Sequence, residues 1–288
     1  MPPEAQIKLI DCPRDAMQGI HEFIPTEVKV RYIQQLLAVG FDTLDVGSFV
    51  SPKAIPQMAD TAQVLEQLDL SQTNTKLLTI VANMRGAKSA VTFDQVDYLG
   101  YPFSVSETFL IRNTNATIAE GLERLDDIHK VAQDHGKKLL VYLSMGFGNP
   151  YGDAWNVRVV AEWVEKLAER GVDLMMLSDT IGVSTPESIS YLFSELIPKY
   201  PEVEIGAHLH TTPDTWREKV ASAYESGCRR FDGALKGYGG CPMAADDLTG
   251  NMPTENIVKY LDEVASSGIS QEELNKALLM SSSVFPLT

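Results

Sequence analysis

Four side chains in the sequence are of the types that bind a divalent cation. His208 and His210 are two residues apart, and because a β-strand repeats every two residues, both imidazoles would point to the same side of one strand. Asp15 would add a carboxylate and Asn251 an amide oxygen. Imidazole and oxygen ligands without a thiolate favour Mg²⁺ or Mn²⁺ over a structural zinc. The alternative is a hydrogen-bonded histidine pair that binds no metal.

Two further residues could take part in catalysis. Arg14 precedes Asp15, and a planar guanidinium at this point could stabilise a developing enolate oxygen, although a local ion pair is the alternative. Cys241 follows three glycines within five residues. Such a segment can bring backbone close to a ligand and hold a thiol over a site, but a cysteine there could also have no role.

Eight short apolar or β-branched runs alternate with segments of helical spacing along the chain. Strands are predicted at 7–11, 43–47, 76–82, 99–104, 138–144, 173–179, 203–210 and 229–235. Alternating strands and helices imply a parallel sheet, and eight repeats favour closure into a (β/α)8 TIM barrel over an open doubly wound sheet. We expect residues 1–288 to form one domain, with the barrel at about 7–265 and an additional C-terminal helix within about 266–288.

The barrel prediction gives the candidate ligands a common location. In this fold the active site lies at the carboxyl ends of the strands. Asp15 follows the first strand, the two histidines end the seventh, and Asn251 follows the eighth. Because these three strands become neighbours when the barrel closes, we expect the four side chains to converge at its mouth.

Composition and charge exclude several classes of protein. A net charge of −15 opposes nucleic-acid binding, since no basic run offsets it. No segment approaches the roughly 20 apolar residues that cross a bilayer, and the first residues lack the pattern of a signal peptide, so we expect a cytoplasmic protein that binds no membrane. Three cysteines are too few for a disulfide framework. An anionic substrate would need a metal or a local arginine to offset the negative field.

Five segments carry a pattern that can be recognised. They are Pro13-Arg14-Asp15-x-x-Gln18, Ser48-Phe49-Val50-Ser51-Pro52-Lys53 with Pro56-Gln57-Met58, Asp179-Thr180-Ile181-Gly182-Val183, His208-x-His210 and Gly237-x-Gly239-Gly240-Cys241-Pro242. Together they resemble the 3-hydroxy-3-methylglutaryl-CoA lyase family over about residues 7–265. The resemblance implies a lyase that uses one divalent cation, Mg²⁺ or Mn²⁺, to cleave the acyl-CoA thioester to acetyl-CoA and acetoacetate. Because barrels of this type commonly pair through outer helices, we also expect a homodimer.

The resemblance assigns roles to individual residues. It implies that the metal ligands are Asp15, His208, His210 and Asn251, that Arg14 and Cys241 are catalytic, that the substrate pocket contains Gln18, Ser48, Asn83, Asp179 and Thr180, and that Glu255 lies near the metal. Asp45 is the third catalytic candidate, because the reaction needs a base and Asp45 ends the second strand. In retro-Claisen cleavage the metal would lower the pKa of the substrate hydroxyl, and a base near Asp45 or a metal-linked group would take its proton. Arg14 would stabilise the enolate. Cys241 would either protonate the enolate carbon or carry the hydroxyl proton.

Four positions depart from the pattern that the family usually has. Asp45 stands in place of glutamate, Thr211 in place of aspartate, Asn149 in place of cysteine and Cys12 in place of glycine. One alternative is a synthase or 2-oxo acid aldolase of the same superfamily, which the Cys241 loop and the lack of a regulatory domain disfavour. Another is a catalytically silent barrel that binds an acyl-CoA.

Overall fold

The chain forms a closed barrel of eight parallel strands. The computed structural model describes residues 6–240 and 249–285. The strands are β1 Lys8–Asp11, β2 Thr43–Ser48, β3 Lys76–Ile80, β4 Val96–Ser104, β5 Lys138–Ser144, β6 Leu174–Ser178, β7 Glu204–His208 and β8 Arg230–Gly233. Each strand pairs with its neighbours in sequence order, and β8 pairs with β1. The predicted TIM barrel is confirmed, with a strand at each of the eight predicted positions.

Helices follow the strands and cover the outside of the barrel. In the described residues they are α1 Pro13–Gln18, α2 Thr26–Val39, α3 Thr61–Gln67, α4 Met84–Ala90, α5 Glu107–Thr114, α6 Ile118–Asp134, α7 Val157–Glu169, α8 Pro186–Lys199, α9 Trp216–Glu225, α10 Thr254–Val264 and α11 Gln271–Val284. Local sequence determines several starts. Thr117 and Glu120 form a capping box at the start of α6, and Thr185 caps α8 ahead of Pro186. None of the described helices is long and apolar enough to span a membrane.

Side chains that point inward fill the barrel beneath its mouth. The buried apolar ones are Ile10, Cys12, Leu78, Ile80, Tyr98, Leu140, Tyr142, Leu174 and Met176. The register of β8 with its two neighbours places Asp232 between them, because Asp232 lies opposite His208 of β7 on one side and Ile10 of β1 on the other. Strands 7, 8 and 1 are therefore adjacent, as the argument for a shared cation site requires.

The predicted additional helix is α11, which packs on the outside against α2. The amide of Gln35 donates to the backbone carbonyl and the carboxylate of Glu273. Just after the helix, the ring of Phe285 meets the edge of Tyr32 with centroids 5.6 Å apart. These contacts with α2 hold the C-terminal segment against the barrel.

Candidate active site

A cavity of about 530 Å³ opens at the carboxyl ends of the strands. Its wall includes seven of the residues that the sequence singled out, namely Arg14, Asp15, Gln18, Asn83, Thr180, His208 and His210. Ile80, Pro102, Phe109 and Tyr142 supply apolar wall. Polar groups that converge on a cavity with apolar walls are typical of a small-molecule site.

The two histidines face each other through their Nε2 atoms, which are 3.3 Å apart. His210 Nδ1 donates to the carbonyl of Thr249 at 3.0 Å, and His208 Nδ1 lies 2.6 Å from the carboxylate of Asp232. Because each Nδ1 has an acceptor, each neutral imidazole carries its lone pair on Nε2. Two lone pairs directed at one point suit a shared cation.

The pKa values of the two imidazoles shift in opposite directions. Burial alone would lower the pKa of His208, but Asp232 raises it above its ordinary value. Burial and the nearby His208 lower the pKa of His210 to about 4. At neutral pH His210 is therefore an uncharged donor of its Nε2 lone pair.

Asp15 and Asn251 lie beside each other at the same end of the barrel. Asn251 Nδ2 donates to Asp15 Oδ2 at 2.6 Å and to the carbonyl of Tyr238 at 2.9 Å. Its Oδ1 is buried and has no hydrogen-bond partner among the described atoms. Burial opposes the charge on Asp15, but Arg14 and the imidazoles hold the pKa of Asp15 below its ordinary value. An ionised carboxylate and an unpaired amide oxygen complete the donor set.

These donors suit a hard divalent cation. Adjacent ligands on an octahedral cation with bonds of about 2.1 Å are separated by roughly 3 Å, close to the distance between the two Nε2 atoms. Within residues 6–240 and 249–285, no three His, Cys, Asp or Glu side chains are arranged to hold a cation by themselves. Both Asp15 oxygens accept hydrogen bonds, from Arg14, Gln18 and Asn251. A cation would replace the bond between Asp15 and Asn251.

Arg14 is held by three neighbours at the edge of the cavity. Nε and Nη2 donate to Asp45 Oδ2 at 2.9 and 2.5 Å, while Nη1 donates to Asp15 and Gln18, each at 2.9 Å. Burial would lower the pKa of Arg14, but Asp45 and Asp15 raise it, so the group stays charged. A guanidinium has five N–H groups. Four have partners here, which leaves one Nη2–H for a ligand in the cavity.

The structure gives Asp45 a different place from the one expected of a base. Its carboxylate is fully buried, lies outside the cavity wall and accepts both bonds from Arg14. Burial raises the pKa of Asp45 to about 6 against the opposing effect of Arg14, so the side chain remains ionised at neutral pH. Asp45 therefore orients the guanidinium and is separated from the cavity by it.

The five residues expected in the substrate pocket divide into two groups. Gln18, Asn83 and Thr180 line the cavity. Ser48 and Asp179 are buried outside its wall. The Ser48 hydroxyl accepts from the backbone N–H of Val50 and donates to the carbonyl of Ile80, each at 3.3 Å. It shapes the loop after β2 and does not reach the cavity.

Asp179 belongs to a buried ion pair below the site. Its carboxylate accepts from the Ser184 hydroxyl at 2.5 Å and from Lys219 Nζ at 2.9 Å. Lys219 also donates to the carbonyls of Gly182 and His210, at 3.0 and 2.8 Å. All three ammonium protons therefore have acceptors. The pair joins the loop after β6 to the backbone of a candidate metal ligand.

Two supporting residues were not predicted from the sequence. Asp232 orients His208 from within β8, and an acid inside a predicted strand is a signal that the sequence carries. Lys219 lies on α9, and its pairing with a residue 40 positions away has no local signal. Cys241 lies outside the described residues.

Asn149 and Thr211, two of the departures from the family pattern, have local roles. Asn149 Oδ1 accepts the backbone N–H groups of Tyr151 and Asp153, at 3.0 and 3.1 Å, and so shapes the loop after β5. The Thr211 hydroxyl bonds to Thr212 and Thr215 at 2.9 Å. Neither side chain lines the cavity.

Comparison with known proteins identifies the family. The HMGL-like family model matches residues 6–281. The chain belongs to this family. It is 33% identical over 275 residues to the mitochondrial hydroxymethylglutaryl-CoA lyase of Bos taurus, a match that spans 94% of this chain and 83% of the relative. A hydroxymethylglutaryl-CoA lyase of Bacillus subtilis is 32% identical over 252 residues, spanning 88% and 83%. The resemblance stated from the motifs is confirmed.

Solved structures of HMGL-like family members share the same architecture. The HMG-CoA lyase of Bacillus subtilis superposes with a TM-score of 0.90 at 30% identity, covering 98% of this chain and 95% of that one. An HMG-CoA lyase from Acinetobacter baumannii, solved in complex with coenzyme A and 3-methylmalate, gives a TM-score of 0.90 at 28% identity, covering 99% and 92%. The fold therefore agrees with that of family members over nearly its whole length.

Proposed function

We propose that this protein is a divalent-metal-dependent carbon–carbon lyase that cleaves 3-hydroxy-3-methylglutaryl-CoA to acetyl-CoA and acetoacetate. The observation that carries the proposal is the convergence of two facing imidazole Nε2 atoms, the Asp15–Asn251 pair and the Arg14 guanidinium on one cavity. Relatives named as hydroxymethylglutaryl-CoA lyases, one of them solved with coenzyme A, support the same reaction class.

His208, His210, Asp15 and Asn251 would hold one Mg²⁺ or Mn²⁺. When bound, such a cation polarises the substrate hydroxyl and lowers its pKa. Asp15 is the only carboxylate among the described residues of the cavity wall, so we assign it the hydroxyl proton. As that proton leaves, the bond between the acyl carbons breaks, the hydroxyl carbon becomes the ketone of acetoacetate, and the electron pair passes to the thioester as an enolate.

Arg14 would stabilise that enolate. Its orientation is set before substrate arrives, because Asp45 takes two N–H groups and Asp15 and Gln18 take two more. The remaining Nη2–H donates to the thioester oxygen as negative charge develops on it, which is the kind of preorganised electrostatic stabilisation that accelerates reactions most. Cys241 then delivers a proton to the enolate carbon and forms the methyl group of acetyl-CoA.

Two arginines on the cavity wall suit a substrate that carries phosphates. The Arg112 guanidinium lies over the ring of Tyr151, 4.7 Å from its centroid, and Arg124 donates to the carbonyls of Thr114 and Asn115. Against a net charge of −15, these cations provide a local attraction for the anionic coenzyme. We assign Arg112, the exposed one, to the coenzyme phosphates.

The activity can be tested with purified protein, the thioester, Mn²⁺ or Mg²⁺ and a thiol reductant. We expect stoichiometric acetoacetate and acetyl-CoA, and no product after treatment with a chelator. Absence of product from protein that has bound the cation would contradict the substrate assignment and favour a silent acyl-CoA-binding barrel.

A related 3-hydroxyacyl thioester is a second candidate substrate. Asp45 carries one methylene fewer than the glutamate common in the family, and Cys12 adds a side chain to the cavity wall. Cys12 changes the space around the acyl group directly, whereas Asp45 acts on it only through the position of Arg14. A panel of hydroxyacyl-CoA thioesters in the same assay would rank kcat/KM values, and a higher value for another acyl chain would replace the first assignment.

A further inference from the structure

The C-terminal helix α11 contacts the segment that precedes Cys241. The ring of Phe285 stacks on Tyr238, with centroids 4.5 Å apart and planes inclined by 22°. One helical turn earlier, the Ser282 hydroxyl accepts a hydrogen bond from the ammonium of Lys236. We call residues 236–240 the loop root. Two separate contacts therefore join α11 to the loop root.

The loop root in turn lies against two candidate metal ligands. The Tyr238 carbonyl accepts from Asn251 Nδ2 at 2.9 Å. A Cβ atom on Gly239 would lie 2.6 Å from the Asp15 carbonyl and 2.9 Å from Asn251 Nδ2, and one on Gly237 would lie 2.8 Å from the Asn251 carbonyl. Because there is no room for a Cβ at Gly237 or Gly239, a shift of the loop root towards Asn251 or Asp15 would displace them.

The backbone conformation of the loop root requires support. Lys236 has a φ of 58° and Gly239 one of 87°, and the left-handed conformation is unfavourable for a residue with a side chain. Glu255 Oε2 accepts the backbone N–H of Lys236 at 3.0 Å, while Phe285 is almost fully buried between Tyr238 and Tyr32. The conformation is thus held both by α10 and by α11.

We propose that Phe285, with Ser282, is a positioning residue of the active site: the end of α11 fixes the loop root and, through Tyr238, the orientation of the Asn251 side chain. The inference rests on the proposed function, because it takes Asn251 as a ligand and Cys241 as the residue that the loop root leads into. Phe285 itself touches neither the cavity nor the substrate.

The test compares Phe285→Leu, which keeps apolar volume but removes the stacked ring, with Phe285→Tyr, which retains the ring. We expect Phe285→Leu to weaken Mn²⁺ binding about 3- to 10-fold, the size expected for an aromatic pair of this geometry. Titration calorimetry measures this without any turnover. We also expect the rate at which iodoacetamide alkylates Cys241, followed by mass spectrometry, to change by a similar factor. Phe285→Tyr should restore both values.

A matched control separates positioning from packing. Tyr260→Leu removes another aromatic pair, that of buried Tyr260 with partly buried Tyr224, whose centroids are 6.0 Å apart; Tyr260 lies in the middle of α10, more than one helical turn after Glu255. This variant should lower the melting temperature as Phe285→Leu does, yet leave Mn²⁺ affinity and Cys241 alkylation within twofold of the wild type. If Phe285→Leu behaves in the same way as this control, α11 only stabilises the fold and the proposal is wrong.

If Phe285→Leu does not fold, the contact between Phe285 and Tyr238 can be removed by changing Tyr238 instead. Tyr238→Leu should then reproduce the loss of Mn²⁺ affinity and Tyr238→Phe should restore it, whereas wild-type affinity in Tyr238→Leu would overturn the proposal. In active variants kcat should fall while KM stays within twofold. Should the wild type cleave no thioester, the proposed function fails, and the metal and alkylation measurements still decide the role of Phe285.

Discussion

Replacing Asp232 with asparagine should weaken Mn²⁺ binding without unfolding the barrel. Asp232 Oδ1 lies 2.6 Å from His208 Nδ1, and the carboxylate is almost fully buried. This bond keeps the Nδ1 proton in place and leaves the Nε2 lone pair free. Asparagine has nearly the same shape but no charge, and its amide can present an N–H to Nδ1, which would move the proton to Nε2.

The size of the effect follows from the strength of that bond. A buried hydrogen bond to a charged group contributes about 1.5–3 kcal/mol, and mutation of a residue that orients a ligating histidine typically lowers metal affinity about 10- to 100-fold. We therefore expect the Kd for Mn²⁺ to rise about 10- to 100-fold, and kcat at saturating metal to fall by less.

Titration calorimetry gives the Kd, and circular dichroism with thermal unfolding gives the control for the fold. Asp173→Asn is a matched variant, since among the described residues the Asp173 carboxylate forms an exposed ion pair with Lys138 at 3.6 Å. The Kd of this variant should equal that of the wild type. A folded Asp232→Asn protein with wild-type Mn²⁺ affinity would refute the view that Asp232 prepares His208 for the cation.

Three further predictions concern other parts of the molecule. Burial raises the pKa of Asp11 to about 7, so between about pH 4 and 7 the folded chain keeps a proton that the unfolded chain releases, and stability falls as pH rises through that window. Asp11→Asn should raise the free energy of unfolding by roughly 1–3 kcal/mol at pH 8 and leave it unchanged at pH 4. Urea titrations at the two pH values measure this, and an equal effect at both would contradict it. Lys219→Met leaves Asp179 buried without its cation and should lower the free energy of unfolding by about 3–5 kcal/mol, as measured by urea unfolding. A decrease below about 1 kcal/mol, which is typical of exposed pairs, would show that the pair is not buried in solution. Arg112→Ala should raise KM for the CoA thioester about 3- to 10-fold with kcat within twofold, as expected when binding alone is lost. The variant should leave the kinetics with a phosphate-free pantetheine thioester unchanged. An equal effect on both substrates would contradict the assignment of Arg112 to the coenzyme phosphates.

The fold was predictable because each repeat carries its own signals. Eight apolar runs, helix caps such as Thr117 and the spacing of the helices are local features, and closure into a barrel follows from their number. The convergence of His208, His210, Asp15 and Asn251 was predictable for the same reason, since it depends only on which strand each residue ends or follows.

The sequence did not show which way a buried acidic side chain turns. Asp45 and Asp179 each occur at a strand end, but one is turned to Arg14 and the other to Lys219, so neither lines the cavity. Which way a carboxylate turns depends on the nearest cation in space, and those cations belong to other elements. Asp232 is different, because a buried acid inside a strand that borders β7 and β1 can be recognised from the sequence once the strands are placed.

The most direct test of the shared cation site is anomalous scattering from crystals grown with Mn²⁺. We expect one strong peak between the Nε2 atoms of His208 and His210, within coordination distance of Asp15 and Asn251, and its loss in His208→Ala. A peak elsewhere, or no peak in crystals whose protein cleaves the thioester, would contradict the account.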